Sequence, residues 1–165
     1  AAIRDDNPVV FLEHEGLYNF KGEVPEEVEP AVIGRAETVR EGRDVTIVAY
    51  GAMTHVALEA ARRLADDSVD AEVVDLLTLR PWDKDAVAAS VARTHRAVVV
   101  EEARPVCGIA AEVAANVYEM AFDELDAPIR RVSGADVPMP YARDLEQACI
   151  PHADDVVAAV RATLD

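Results

Sequence analysis

Ala97–Phe122, AVVVEEARPVCGIAAEVAANVYEMAF, decides the fold. Val98, Val99 and Val100 form a continuous apolar run, the pattern of a strand covered on both faces in a parallel sheet. After the turn at Pro105, Ile109, Val113 and Val117 recur four apart with Ala110, Ala114 and Ala121 beside them. Glu112, Asn116, Glu119 and Asp123 fall on the other side, so this half is an amphipathic helix. The unit reads strand, loop, helix. Glu101 and Glu102 fall at the carboxyl end of the strand and Cys107-Gly108 at the helix entrance. Ligands of open α/β sheets bind there, so a pocket of this domain is expected at that point.

The flanking sequence repeats the alternation. Ala36 to Arg40 is a modest strand, and a turn at Glu41-Gly42-Arg43 leads to the apolar strand Val45 to Tyr50, which suggests a hairpin-like pair. A helix capped by Thr54 follows, burying Ala57, Ala60, Ala61 and Leu64. Ala71 to Leu76 is the next strand. Asp83 caps a helix with Ala86, Val87 and Val91 inward. Ile129 to Val132 is the last strand, Ser133 to Tyr141 an irregular loop with two prolines and a glycine, and Asp144 to Cys149 a short helix stopped before Pro151. The final helix starts at Asp154-Asp155 and turns Val156, Val157, Val160 and Leu164 inward. Strands alternating with helices at this spacing predict a three-layer α/β/α domain with a mainly parallel sheet.

Residues 1 to 34 differ in texture. Val9-Val10-Phe11-Leu12 is a short apolar strand with no partner nearby in sequence, so it must borrow a neighbour from outside this segment. Gly22 to Pro30, acidic and with two prolines, reads as an extended linker.

At 165 residues and 51% hydrophobic, the chain can bury one ordinary core. No run of about eighteen apolar residues and no basic-then-apolar leader is present, which supports neither a membrane span nor a signal peptide and leaves a cytoplasmic location as the expectation. Cys107 and Cys149 have neither disulfide-framework nor metal-ligand spacing and read as free thiols. With 32 acidic against 16 basic residues the net charge is -16, which excludes nucleic acid as an expected partner. Such a surface suits a high-salt cytoplasm, a basic protein partner, or plain solubility.

Motif chemistry is sparse. Gly51 sits between strand and helix, but both the G-x-G-x-x-G and the G-x-x-x-x-G-K-[ST] patterns are absent. Adjacent Glu101 and Glu102 point to opposite sides of a strand and cannot form a carboxylate dyad. Cys107, near a helix start, has no histidine close in sequence to activate it. His14, His55, His95 and His152 lack ligand spacing.

Four segments in order, IRDDNPVVFLEHEGLY, GRAETVREGRDVTIVAYG, VVVEEARPVCGIAAEVAA and RVSGADVPMPYARDLE, resemble the C-terminal part of the beta subunit of thiamine diphosphate-dependent 2-oxo acid dehydrogenases of the pyruvate, branched-chain and acetoin types. The resemblance spans essentially the whole chain. It implies a transketolase C-terminal domain-like fold over residues 35–165 with five strands, one of them, Ala36 to Arg40, an antiparallel edge. Residues 1–20 would be the end of the preceding pyrimidine-binding domain, and 21–34 a linker. The groups that activate thiamine diphosphate, and those that hold its diphosphate through magnesium, lie in other segments of such enzymes, so no catalytic residue is assigned here. The implied role is assembly with an alpha subunit and a second beta subunit as a heterotetramer, and docking to the dihydrolipoyl acyltransferase core.

Two sets of residues are carried over from the resemblance. Ala2, Ile3, Asp5 and Asn7 stand at the positions of a potassium site, whose hard oxygen ligands suit a group I cation. Asp126, Leu164 and Asp165 stand where the small basic subunit-binding domain of the acyltransferase docks; Arg130 stands where some relatives present another acid. Two other readings stay open: the C-terminal domain of a transketolase or deoxyxylulose phosphate synthase type enzyme, and a free-standing flavodoxin-like binding protein.

Overall fold

The computed structural model describes residues 1–24, 26–27 and 29–165. Pro25 and Val28, part of the expected linker, lie outside the described residues.

A wholly buried strand takes the centre of a five-stranded sheet. Strand β2 (Val45–Ala49) is buried along its whole length, and so is β4 (Ala97–Val100). With β3 (Ala71–Asp75) they pair in parallel, Ile47 facing Val73 on one side and Val98 on the other. Strand β5 (Arg130–Val132) adds in parallel beyond β4. Strand β1 (Glu37–Arg40) closes the other edge antiparallel to β3, giving the order β1-β3-β2-β4-β5. Helices α1 (Ala52–Asp66) and α5 (Ala153–Leu164) cover one face, packing Ala57, Ala60, Ala61, Leu64, Val156 and Val160 against Ile47, Val73 and Val98. Helices α2 (Lys84–Thr94) and α3 (Ile109–Ala121) cover the other through Val87, Val91, Val113 and Val117. The short α4 (Arg143–Gln147) belongs to the loop after β5. The described residues thus form the expected three-layer domain with one antiparallel edge.

Several expectations need correction. Strands β1 and β2 are not a hairpin. Residues 41–44 pass the start of β3, where the Arg43 and Asp44 amides both donate to the Asp70 carbonyl at 2.9 Å. Strand β1, with Glu37 and Thr38 exposed, belongs at an edge, while the wholly buried β2 needs a neighbour on both sides. Thr54 does not cap α1. The helix begins after Gly51, whose φ of 58° is a conformation that side-chain-bearing residues rarely adopt, and Thr54 lies buried in the first turn. Asp83 does cap α2, its Oδ1 accepting from the Ala86 amide at 3.1 Å. Asn116, expected on the wet side of α3, is buried between α2 and α3, accepting from the Lys84 ammonium and donating to Glu112. Leu164 is partly exposed, and Thr163 takes the inward place.

Val9–Leu12 is not a strand in this structure: it runs without strand pairing, with Val10 85% and Phe11 72% exposed. A strand needs a partner for its amides, and no described segment supplies one.

Candidate functional site

The expected pocket at the carboxyl end of β4 is filled by the chain itself. Glu101 continues the β4 ladder, its amide donating to the Val132 carbonyl at 2.9 Å, and its side chain is fully buried. The carboxylate turns to the start of α3. Oε2 accepts from the Ala110 amide at 2.9 Å and from the Tyr50 hydroxyl at 3.3 Å, and Oε1 accepts from Ser133 at 3.1 Å. It therefore satisfies one of the free amides at the α3 N-terminus and places its charge at the positive end of the helix dipole. The close approach requires glycine at 108: a Cβ there would overlap the Glu101 carboxylate and the Arg104 carbonyl. Tyr50 responds electrostatically. Burial, then the neighbouring Glu101 charge, push its phenol pKa above the ordinary value.

Glu102 turns away, as adjacent strand-end residues must. Its Oε2 meets His14 Nε2 at 3.0 Å. Because His14 Nδ1 accepts from the Gly16 amide at 3.1 Å, Nε2 carries the proton and donates to Glu102. Phe20, at the far end of the 3-10 turn Glu15–Asn19, lies against the His55 ring of α1 with centroids 4.7 Å apart. Residues 14–20 thus contact both Glu102 and α1.

The remaining candidates are dispersed. Cys107 is exposed and Cys149 half-buried, both free. His95 binds the Glu124 carbonyl and His152 caps α5. Among the described residues, no group of three or more His, Cys, Asp or Glu side chains could hold a metal ion. Ala2 and Ile3 lie in the 3-10 turn Ala2–Arg4. Asp5 Oδ1 accepts from the Asn7 amide at 2.8 Å and its side-chain nitrogen at 3.0 Å, bonds that hold the Asp5 carboxyl below its ordinary pKa. The structure brings Asp5 and Asn7 together, with one Asp5 oxygen already used locally.

At the opposite end of the sheet, Asp126 and Thr163, the residue before Leu164, are joined through Arg96, a residue the sequence reading missed. Arg96 immediately precedes β4 and its carbonyl accepts from Thr46, which fixes its backbone. Its Nε donates to the Thr163 carbonyl at 2.9 Å and its Nη2 lies 3.4 Å from Asp126 Oδ2. Asp126 is further held by its own amide, which donates to the His95 carbonyl at 2.9 Å. Asp126, Leu164 and Asp165 all reach solvent there. The available signal was a lone arginine at the mouth of an apolar strand, but its partners are tens of residues away.

A second buried carboxylate also went unseen. Glu72 of β3 is fully buried, with Oε1 accepting from Arg93 at 2.7 Å and from Ser90, while Ser90 and Thr94 bond Thr46. This network ties α2 to β2 and β3.

Residues 34–156 match the family described as transketolase, C-terminal domain. The pyruvate dehydrogenase E1 component subunit beta of Rickettsia felis is 49% identical over 97% of this chain and 49% of its own length. The acetoin:2,6-dichlorophenolindophenol oxidoreductase subunit beta of Cupriavidus necator is 48% identical over 99% of this chain and 48% of its own. The chain spans about half the length of the curated relatives it matches. Among solved structures, a split gene transketolase, described as an inactive beta4 tetramer, superposes with a TM-score of 0.69 at 36% identity, over 86% of this chain and 46% of that one.

Proposed function

The chain belongs to the transketolase C-terminal domain family, and on that premise we propose that it is the beta-subunit portion of a 2-oxo acid dehydrogenase of the pyruvate type, serving subunit assembly and docking to a dihydrolipoyl acyltransferase core. The observation that carries this reading is the 49% identity to a pyruvate dehydrogenase beta subunit across nearly the whole chain. The parent enzyme would use thiamine diphosphate with magnesium to decarboxylate a 2-oxo acid and reductively acylate a lipoyl group. Partners in the proposal are an alpha subunit and a second beta subunit, in a heterotetramer with potassium at Ala2, Ile3, Asp5 and Asn7. The proposed location is cytoplasmic.

The residues present do not fit the cofactor. The carboxyl end of β4 beside the α3 N-terminus, where ligands of open α/β sheets bind, holds the Glu101 carboxylate against the Ala110 amide and the Tyr50 and Ser133 hydroxyls, and a second anion would meet that charge at close range. No catalytic step is assigned to this chain. Calorimetric titration of the chain alone with thiamine diphosphate and magnesium is expected to show no micromolar binding, and micromolar binding overturns the reading.

Docking is supported by the convergence of Asp126 with the α5 terminus on one exposed end of the sheet. A basic domain approaching a chain of net charge -16 gains in encounter rate and loses that gain as salt rises. Affinity for the acyltransferase subunit-binding domain, measured at several salt concentrations for wild type and Asp126→Ala, tests this. Salt-insensitive binding unaffected by the substitution defeats it. A second reading, the C-terminal domain of a transketolase or deoxyxylulose phosphate synthase type enzyme, draws on the 36% identity to the split gene transketolase. The family match replaces the free-standing flavodoxin-like reading.

A further inference from the structure

We propose that Arg96 is a positioning residue that sets the spacing between the two halves of the docking surface, Asp126 on one side and the Leu164-Asp165 tail on the other, so that one basic partner can engage both. This rests on the docking reading above and adds a residue that reading does not contain.

The two halves are 38 residues apart in sequence and belong to different elements, the turn before β5 and the last turn of α5. Helix ends fray unless something holds them. The Thr163 carbonyl is among the last four of α5, which have no partner within the helix, and the Arg96 Nε–H supplies one at 2.9 Å. A cation there also complements the negative end of the helix dipole. The same guanidinium reaches Asp126 at 3.4 Å, and its planar fork fixes the angle between the two contacts, which a rotating ammonium does not. Arg96 itself cannot drift. Its carbonyl accepts from the Thr46 amide at 2.9 Å, and only about a quarter of its side chain is exposed. Next to it, His95 anchors the same turn from behind, its ring bonding the Glu124 carbonyl at 2.8 Å and its own carbonyl taking the Asp126 amide. The start of β4 therefore holds both the last turn of α5 and an exposed turn.

Charge and position make opposite predictions here. If Arg96 acted through its charge alone, removing it would make the surface more acidic and a basic partner would bind more tightly. If Arg96 positions, removal uncouples the halves and binding weakens in spite of the added negative charge.

The test uses the full chain, the acyltransferase subunit-binding domain as probe, and Arg96→Met, which keeps an unbranched apolar stem. Loss of the two contacts is expected to weaken binding by on the order of tenfold, with the loss in the dissociation rate and the association rate unchanged or faster. Amide exchange at Leu164 and Asp165 is expected to speed up without change in the strands. Arg96→Lys, which keeps the charge and removes the fork, is expected to bind about threefold more weakly and covers the case in which the methionine variant fails to fold. Equal or tighter binding by either variant overturns the positioning role. Absence of salt-dependent binding by wild type overturns the docking reading itself and this proposal with it, an outcome distinct from wild-type binding that ignores Arg96.

Discussion

At the carboxyl end of the sheet Glu101 is fully buried and meets three donors within 3.3 Å, while at the amino end Asp126 is more than half exposed and meets one guanidinium at 3.4 Å. Both carboxylates lie near a helix terminus, yet the consequences differ. A buried charge must have its partners in fixed geometry, since each one lost leaves a desolvated group behind. Glu101 is therefore committed to holding β4, α3 and the loop after β5 together. Asp126 is wet on one side, so its Arg96 contact contributes little to stability and leaves the charge open to a partner. A carboxylate at an end of the sheet is a structural cap in one place and a candidate docking group in the other, and burial decides between them.

The sharpest way to break this comparison is to remove the buried carboxylate. Glu101→Ala leaves the Ala110 amide and the Tyr50 and Ser133 hydroxyls unpaired around a cavity, and is expected to cost about 4 kcal/mol by urea unfolding. Glu101→Gln should cost only about 1 kcal/mol, because its amide oxygen can keep Ala110 and Tyr50 while its NH2 donates to a rotated Ser133 hydroxyl. Equal losses for the two variants would show that shape, not hydrogen bonding, governs this end.

Close approach is the next lever. Gly108→Ala places a methyl into the Glu101 carboxylate and the Arg104 carbonyl, and the overpacking is expected to cost about 3 kcal/mol, read as a fall in the unfolding midpoint. A neutral result would mean that the α3 entrance yields and that Glu101 is less tightly held than Asp126's neighbourhood is.

The contrast between the two ends also marks what the sequence could reveal. Elements were legible wherever local pattern and burial agree: the Val98–Val100 run, the four-residue period of Ile109, Val113 and Val117, and the Asp83 cap all lie where periodicity placed them. Pairing was less legible. The short turn at Gly42 suggested a hairpin, but the choice of neighbour for β1 depends on β3, whose start lies some thirty residues on. Both ends of the sheet were misjudged for the same reason. Glu101 read as a polar strand end because nothing local shows that Tyr50, Ala110 and Ser133 converge on it. Arg96 was passed over because Asp126 and Thr163 are distant in sequence. Glu72, in the run Ala71–Asp75, takes its partners Ser90 and Arg93 from α2, well beyond its own strand in sequence. Single charged residues within apolar runs acquire meaning only from long-range packing.

A pH scan separates the ends by the sign of their response. The Tyr50 phenol is raised in the folded state, so its contribution to stability is complete below the ordinary tyrosine pKa of 10.0 and is lost as pH rises toward the folded value, because only the unfolded chain then ionises. Tyr50→Phe is expected to cost about 1 kcal/mol at neutral pH through the hydrogen bond to Glu101, and to flatten the alkaline decline above pH 10. On the acid side, Arg62 and Arg63 hold the exposed Glu59 carboxyl down to about 2, so its contribution is present above the ordinary value of 4.5 and fades as pH falls toward 2. Thermal melts of wild type and Tyr50→Phe between neutral and strongly alkaline pH decide the first point: parallel curves would detach Tyr50 from the buried network.

The smallest expected stability effect belongs to the exposed end, and it is informative because it is small. Asp126→Asn keeps the shape of the side chain and the backbone bond from its amide to the His95 carbonyl, and removes only the charge facing Arg96. Exposed ion pairs of this kind contribute about 0 to 1 kcal/mol, and part of that is screened at physiological salt, so the unfolding free energy should change by less than about 0.5 kcal/mol. If Asp126 is a docking group, the same substitution must nevertheless lower affinity for a basic partner and reduce the salt dependence of binding. Stability that stays while salt-dependent affinity falls is the pattern of a charge kept available at the surface. A loss of stability comparable to that of Glu101→Ala would instead place Asp126 among the groups that hold the fold, and the distinction between the two ends of the sheet would fail.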